Sequence, residues 1–253
     1  MKLRVLGCHG GELPGCRTTC LLIDGHTAID AGALTATLSL DELVAVDDIF
    51  LTHSHFDHVK DVPLMADLLV GRRKSPVRVH GTKPCTDTMK DSIFNDRLWP
   101  DFTKIPTAQN PVMALQPFEP GVTLEAKNLR IKAIGVTHPV DAVGYIVRDG
   151  DRCIAISGDT GPTEALWQAV NAEKNVRAVF IELSFPNDMQ WLADVSGHFT
   201  PRTIAAELAK IRGDMPVFLY HLKPAFIATL KREVAALGNP RLHVLELDEE
   251  YEF

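Results

Sequence analysis

Short apolar runs recur along the whole chain, and glycine, aspartate or proline bounds most of them. The principal runs are KLRVLG, CLLID, DIFLTH, VRVHG, RIKAIGVTH, VGYIV, CIAISGD, AVFIEL, VFLYH and LHVLEL. Runs that are apolar at nearly every position are typical of strands buried on both faces of a sheet. The pattern therefore predicts a protein built largely from buried strands.

Helical periodicity occupies several of the intervals between these runs. Apolar positions at helical spacing predict helices over 57–70, 162–172, 201–211 and 224–237. The last three begin with proline, which is tolerated in a first turn because its missing N–H has no helical partner there. Strands that alternate with helices on this scale predict an α/β fold. No linker or low-complexity tract divides the sequence, so we expect one domain over residues 1–253.

Residues 95–121 fit neither pattern. The segment NDRLWPDFTKIPTAQNPVMALQPFEPG contains five prolines and shows no sustained period. Within a compact domain, a long segment without regular structure is usually either disordered or functional. Its aromatic residues Trp99, Phe102 and Phe118 favour packing over mobility. We therefore expect a lid or pocket wall, whose aromatic side chains stack on a ligand.

Composition and charge narrow the functional classes. The net charge of −7 disfavours a long nucleic acid as partner, because such a protein gains no free energy from counterion release. No apolar stretch approaches the ~18 residues of a membrane span, and the first residues lack the apolar core of a signal peptide. Five cysteines without a CxxC pair are typical of free thiols in a reducing compartment. We therefore expect a cytoplasmic protein without a membrane segment.

Potential metal ligands stand at the ends of four predicted strands. His53, His138, Asp159 and His221 each follow an apolar run, and ligands collect at the carboxyl ends of strands in α/β sheets. The motif HSHFDH, residues 53–58, adds two more histidines and an aspartate. Packing three imidazoles and a carboxylate so closely is costly unless a cation binds them. The sequence therefore predicts a metal site.

Histidine nitrogen and carboxylate oxygen suit zinc and its neighbours, and a set without cysteine leaves positions open for water. The candidates are His53, His55, Asp57, His58, His138, Asp159 and His221. They exceed what one tetrahedral ion can hold, whereas two ions ~3.5–4 Å apart would use them all. We expect two divalent cations, with zinc preferred and manganese or iron as alternatives.

The same motifs resemble the metallo-β-lactamase superfamily, through THSHFDH, an isolated histidine, SGDTG and YHLKP. This resemblance implies a four-layer αβ/βα sandwich. HSHFDHVKDVPLMAD, NDRLWPDFT, THPVDAVGYIV, SGDTGPTEALW, IELSFPND and SGHFTP resemble class II 3′,5′-cyclic nucleotide phosphodiesterases more specifically. By that resemblance one ion is held by His53, His55 and His138, the other by Asp57, His58 and His221, and Asp159 bridges them.

The resemblance also implies an activity: hydrolysis of 3′,5′-cyclic AMP, and also cyclic GMP, to nucleoside 5′-monophosphates by a hydroxide between the metals. His198 in SGHFTP would give a proton to the leaving O3′, oriented by Glu182 in FIELSF. A carboxylate bonded to an imidazole raises its pKa and fixes its orientation. Asp57 would be both ligand and catalytic residue. The partner would be a small cyclic nucleotide, and such enzymes are often homodimers.

Two alternatives share parts of this pattern. A ribonuclease Z-like enzyme, or another phosphodiesterase of the same fold, has the same ligands, but ribonuclease Z carries a long basic arm for transfer RNA. Here His138 and Asp159 are only 21 positions apart, which leaves no room for an arm at its usual place. The other alternative is a non-catalytic binding module in which the metals only stabilise the fold. Structural zinc sites are closed and usually rich in cysteine, whereas this set contains only histidine and aspartate.

Overall fold

A computed structural model describes residues 1–253. Its strands, in chain order, are β1 (Lys2–Gly7), β2 (Cys20–Ile23), β3 (Thr27–Ile29), β4 (Asp48–Phe50), β5 (Val77–Thr82), β6 (Pro106–Thr107), β7 (Asn110–Pro111), β8 (Met113–Phe118), β9 (Thr123–Ala126), β10 (Leu129–Gly135), β11 (Val143–Asp149), β12 (Arg152–Ile156), β13 (Val176–Glu182), β14 (Val217–Tyr220), β15 (Leu242–Val244) and β16 (Glu250–Glu252). All of them except β6 and β7 lie in two seven-stranded sheets, with orders β16-β1-β2-β3-β4-β5-β8 and β15-β14-β13-β12-β11-β10-β9.

The helices are α1 (Leu34–Thr37), α2 (Leu40–Ala45), α3 (Phe56–Val59), α4 (Asp61–Leu68), α5 (Lys83–Thr88), α6 (Ala165–Ala172), α7 (Gln190–Ser196), α8 (Pro201–Leu208) and α9 (Ile227–Ala236). Short 3₁₀ turns at Asn187–Met189 and Pro224–Phe226 and a π-helical turn at Met89–Ile93 extend three of them. None of the helices combines the length and apolar character that crossing a bilayer demands.

Three hydrophobic cores bind the sheets and helices into layers. The central core lies between the two sheets and includes Phe50 and Tyr145. A second core packs the outer face of the first sheet against α4, which contributes Met65. A third packs the outer face of the second sheet against α6 and α9, through Trp167 and Leu230. The order helix, sheet, sheet, helix confirms the four-layer αβ/βα sandwich.

The sheet topology gathers the strand ends that carry the candidate ligands. Strands β12, β13 and β14 are parallel, and the antiparallel strand β11 returns β10 to the same direction. In the first sheet, β3, β4 and β5 are also parallel. The runs that end near His53, His138, Asp159 and His221 are β4, β10, β12 and β14. The candidate ligands of each sheet therefore lie at the carboxyl ends of its parallel strands.

The predicted helix over 57–70 is interrupted. The chain forms α3, passes through Lys60 and begins again as α4 at Asp61. Pro63 explains the break, because proline cannot donate the hydrogen bond that a helix interior needs but is tolerated in a new first turn. The other three predicted helices correspond to α6, α8 and α9, with the latter two ending one to three residues earlier.

Residues 95–121 contain more regular structure than their pattern predicts. They include the β6–β7 hairpin and β8, which pairs with β5 as the last strand of the first sheet. Pro117 lies within β8, and proline is tolerated in an edge strand because one side of that strand has no partner. The prediction of a wholly irregular segment was therefore wrong.

Candidate metal centre and active site

The HSHFDH motif turns sharply from strand into helix, and this turn spreads its polar side chains. His53 lies just beyond β4, and His55 occupies the N-cap of α3. Asp57 and His58 consequently lie in the first turn of the helix. His53 and His58 are buried, whereas His55 and Asp57 are half-buried. The motif therefore presents its candidate ligands from the floor of the site to its surface.

His53, His55, His138 and Asp159 form a first cluster, in which one ligand atom from each lies within 4.8 Å of the others. His138 Nε2 is 3.2 Å from His55 Nδ1. His53 Nε2 is 3.7 Å from Asp159 Oδ2. The two sheets contribute equally, because His138 follows β10 and Asp159 follows β12.

Asp57, His58 and His221 form a second cluster of the same kind. His221 Nε2 is 3.3 Å from His58 Nε2 and 3.3 Å from Asp57 Oδ2. The backbone of His221 has φ 66°, a left-handed conformation that an ordinary residue adopts only when its surroundings hold it there. A Cβ on Gly10 would lie 2.7 Å from atoms of His221, so glycine at that position makes room for this ligand.

One oxygen of Asp159 lies between the two clusters. Its Oδ2 is 3.3 Å from His58 Nε2 and 3.3 Å from His221 Nε2. The same atom is 3.7 Å from His53 Nε2 in the first cluster. The geometry therefore brings together all seven residues that the sequence nominates as ligands.

The site contains buried polar atoms that no protein group satisfies. His53 Nε2 and Asp159 Oδ1 have no hydrogen-bond partner, and burying such an atom unpaired costs ~1–3 kcal/mol. Both can donate an electron pair to a cation. Imidazole nitrogen and carboxylate oxygen together are a donor set that zinc, manganese and iron accept. The residues present therefore fit divalent cations.

The electrostatics of the site favour a cation as well. Burial lowers the pKa of His53, and it also lowers the pKa of His55 and His138, which keeps their lone pairs available. His58 behaves differently: burial opposes its charge, but the carboxylates of Asp159 and Asp30 raise its pKa well above the usual range. The carboxylates thus draw positive charge into the site.

Asp30 fixes the orientation of one candidate ligand. Its Oδ2 is 2.7 Å from His58 Nδ1, and its Oδ1 accepts a hydrogen bond of 2.8 Å from the backbone N–H of Thr52. Because an ionised carboxylate only accepts, His58 carries its proton on Nδ1. Its Nε2 therefore faces the second cluster, where a bound cation would take the place of a proton, as is common for metal-binding histidines.

The backbone does the same for His138. Gly197 O accepts a hydrogen bond of 3.1 Å from His138 Nδ1, which leaves Nε2 for the first cluster. Gly197 has φ 66°, and a Cβ there would lie 2.9 Å from Pro139 and 3.2 Å from the backbone of His138. Only glycine allows this carbonyl to approach the histidine so closely.

Glu182 and His198 form a buried pair beside the two clusters. Glu182 ends β13, and its Oε1 is 3.0 Å from His198 Nδ1. The same oxygen accepts 2.9 Å from the backbone N–H of Phe199, and Oε2 accepts 2.9 Å from the hydroxyl of Ser184. A ring nitrogen of His198 lies within 4.8 Å of ligand atoms of Asp159 and His221. The pair therefore lies beside the candidate metal centre and outside the set of seven.

A family model described as a beta-lactamase superfamily domain matches residues 20–221. The chain belongs to the metallo-β-lactamase superfamily. A probable 3′,5′-cyclic-nucleotide phosphodiesterase of Yersinia pestis is 27% identical over 250 residues, which cover 86% of this chain and 69% of that protein. Ribonuclease BN of Cronobacter sakazakii is 23% identical over 257 residues, which cover 81% of this chain and 80% of that protein.

Among solved structures, unliganded yeast PDE1 superposes with a TM-score of 0.81 at 18% sequence identity, covering 98% of both chains. At this identity the superposition shows a shared fold. Together with the family match, the relatives identify the chain as a member of a hydrolase superfamily that includes phosphodiesterases.

Two of the three aromatic residues expected to stack on a ligand cannot do so. Phe102 and Phe118 are only 3% and 7% exposed, and each belongs to a hydrophobic core. Trp99 is half-buried, and its Nε1 donates a hydrogen bond of 3.1 Å to Pro63 O. The expectation that they stack on a ligand is therefore wrong for both phenylalanines, because they are buried in the hydrophobic cores. For Trp99, stacking on a ligand stays a prediction.

Some residues that position the candidate ligands escape the reasoning from sequence. Asp30 follows the short run TAI of β3, so the rule that found Asp159 after IAI would have found it too. Ser184 and Gly197 carry no comparable signal, because each acts on a histidine that is distant in sequence. Ser184 contacts His221, 37 positions away, and Gly197 contacts His138, 59 positions away.

Proposed function

We propose that this chain is a dinuclear metal-dependent phosphodiesterase that hydrolyses 3′,5′-cyclic nucleotides, such as cyclic AMP, to nucleoside 5′-monophosphates. The observation that carries the proposal is Asp159 Oδ2, which lies 3.3–3.7 Å from imidazole nitrogens of both clusters. Such a position suits a carboxylate that bridges two ions. Paired ions that share a carboxylate suit in-line displacement at phosphorus.

The proposed ligand sets are His53, His55 and His138 for one ion, Asp57, His58 and His221 for the other, and Asp159 for both. Zinc is preferred by this donor set, with manganese or iron as alternatives. When bound, the ions would supply Lewis acidity to the phosphoryl oxygens and to the attacking water. Asp57 is half-buried, so we assign it a second role as a catalytic carboxylate at the surface of the site.

His198 is assigned the proton for the leaving group. Burial opposes its charge, but Glu182 overrides this effect and raises the pKa of His198 above its usual value. In the imidazolium form, Nδ1–H of His198 donates a hydrogen bond to Glu182, and Nε2 carries a second proton. That proton can pass to the ribose O3′ as it departs, and without it the alkoxide is a poor leaving group.

Small diesters are favoured over RNA by the connection between two candidate ligands. The chain from His138 to Asp159 holds only β11, β12 and the short turn between them, so this connection carries no arm. The net charge of −7 also opposes binding to a polyanion. Ribonuclease activity remains the second candidate, because ribonuclease BN is among the relatives.

The test combines metal analysis with turnover. Metal-free protein reconstituted with Zn²⁺ or Mn²⁺ should bind two ions per chain and hydrolyse both cyclic AMP and bis(p-nitrophenyl) phosphate, with activity lost on chelation. Binding of two ions without any diester hydrolysis would indicate a non-catalytic module in which the metals only stabilise the fold. Cleavage of precursor transfer RNA but not of cyclic AMP would favour the ribonuclease.

We also infer that the protein works in the cytoplasm as a homodimer. All five cysteines are free, and four of them are buried, which suits a reducing compartment. Light scattering of the purified protein measures the mass directly, and a mass of one chain would overturn the inferred dimer.

A further inference from the structure

An apolar groove opens beside the HSHFDH helix. It has a volume of about 250 Å³ and runs between α3 and α4 on one side and the turn that follows Ile93 on the other. Phe56 and Leu98 are 66% and 64% exposed, and Leu64 is 43% exposed. Isolated exposed apolar residues are ordinary, but several that line one concavity mark a binding surface.

One wall of the groove is adjacent in sequence to two candidate metal ligands. Phe56 lies between His55, a member of the first cluster, and Asp57, a member of the second. The ring of Phe56 is therefore carried by the same helical turn that carries the candidate ligand Asp57. The volume lies below the ~300–1,000 Å³ of sites that enclose a whole drug-sized ligand. It suits one ring system of a ligand that is anchored elsewhere.

The polar groups of the groove are already paired. Trp99 Nε1 donates to Pro63 O at 3.1 Å, which uses both the indole N–H and that carbonyl. Lys60 Nζ lies 3.0 Å from Asp61 Oδ1 and 3.4 Å from Glu12 Oε2. Trp99 and Pro63 consequently offer apolar ring surfaces to the groove, and the ammonium of Lys60 is directed to carboxylates. Such a groove binds the apolar face of a ligand ring and does not distinguish the polar atoms at the edge of that ring.

We propose that this groove holds the nucleobase of the cyclic nucleotide by stacking and apolar contact, without reading its edge. The inference rests on the proposed function and names its specificity. Base–aromatic stacking tolerates any base, because every base has a π face. Adenine and guanine are therefore accepted alike, whereas a cyclic phosphate that lacks a base binds poorly.

The first test compares substrates with and without a base. Phe56→Ala and Leu98→Ala should each raise KM about 5- to 100-fold for cyclic AMP and for cyclic GMP, the scale of one base stack. Neither should raise KM for an abasic ribose 3′,5′-cyclic phosphate. Phe56→Tyr, which keeps a flat ring, should restore most of the affinity. Leu68→Ala is the matched control, since Leu68 is 44% exposed on α4 but lies outside the groove.

A second measurement does not depend on metals or turnover. Adenosine titrated into the metal-free protein should shift the NMR signals of Phe56, Leu98 and the Trp99 indole, and Phe56→Ala should abolish these shifts. If adenosine shifts none of them, the inference is overturned even where diester hydrolysis is observed. If adenosine shifts them but no diester is hydrolysed, the groove stands and the proposed function fails. A fall from dimer to monomer in Phe56→Ala, without adenosine shifts, would assign the groove to a second copy of the chain.

Discussion

At the residue scale, Ser184 has one hydroxyl proton and three side-chain neighbours, so its bonding direction can be deduced. Its Oγ lies 2.9 Å from Glu182 Oε2, 2.9 Å from His221 Nδ1 and 3.2 Å from His198 Nδ1. A carboxylate can only accept, so Ser184 donates to Glu182 and accepts from His221. The serine therefore fixes the tautomer of His221 and leaves its Nε2 free for a cation.

Replacing Ser184 by alanine should accordingly weaken metal binding. Loss of a group that orients a metal ligand typically costs ~10–100-fold in metal affinity, and competition with a chelator measures this directly. Ser196→Ala is the control, because the hydroxyl of Ser196 donates only to Leu192 O within its own helix, at 2.6 Å. Unchanged zinc affinity in Ser184→Ala would show that His221 needs no such support.

His198→Ala should separate acid catalysis from binding. We expect kcat for cyclic AMP to fall ~10²–10⁴-fold with metals retained, the scale of a lost general acid. The loss should be much smaller for bis(p-nitrophenyl) phosphate, because p-nitrophenolate leaves without a proton. Glu182→Gln should behave similarly but more weakly, and the double variant should be little worse than His198→Ala, since residues that act as a unit are not additive. Equal losses on both substrates would instead assign His198 to phosphate binding or to support of the metal site.

At the scale of elements, a buried carboxylate joins β4 to β5. Asp48 stands opposite Arg78 in the parallel register and accepts hydrogen bonds of 2.7 and 2.6 Å from its guanidinium. His80 Nε2 lies 2.8 Å from the same carboxylate. Burial opposes the charge, but His80 and Arg78 outweigh it and lower the pKa of Asp48. Their stabilisation is complete above the ordinary pKa of ~4 and is lost as pH falls through the lower folded value.

Asp48→Asn should therefore lower the free energy of unfolding by ~1–3 kcal/mol at pH 7, the scale of hydrogen bonds to a charged group. Urea denaturation of both proteins over a pH series provides the measurement. The gap between them should narrow as pH falls below about 4, because the unfolded wild type then takes up a proton at Asp48 before the folded protein does. The exposed Asp67 on α4 supplies a control variant, Asp67→Asn, for the removal of one negative charge. A gap that stays constant with pH would mean that packing, not charge, holds the two strands together.

Elements differ in how far sequence predicts them, and the reason is local. CLLI of β2 lies within a predicted run and is buried at all four positions, because uninterrupted apolar character marks a strand that is buried on both faces. MALQPF of β8 does not, because an edge strand tolerates polar residues and proline. The break at Lys60 was also missed, although Pro63 could have signalled it. In the site, strand-end ligands were accessible to sequence reasoning, whereas Ser184 acts through partners that only the fold brings near.

At the scale of the whole molecule, the candidate ligands come from both sheets. Residues 53–58 extend from the first sheet, while His138, Asp159 and His221 follow strands of the second. A cation held by both groups would tie the two sheets together at one edge, in addition to the central core. Because a ligand that binds only the folded state stabilises it, metal removal should lower Tm, and the size of the change should follow occupancy.

This argument gives Asp159 and His221 different expected effects. Asp159 Oδ2 reaches imidazoles of both clusters, whereas the Nε2 of His221 contacts only the second cluster and Asp159 itself. Asp159→Ala should therefore lose metal from both positions and show the larger fall in Tm. His221→Ala should keep close to one ion per chain and show an intermediate Tm, and chelation should bring both variants nearly to the Tm of the metal-free wild type. Elemental analysis and thermal unfolding of the same samples decide the matter, with the exposed His243→Ala as control. If each variant loses one ion and the same increment of Tm, Asp159 serves a single ion and does not bridge.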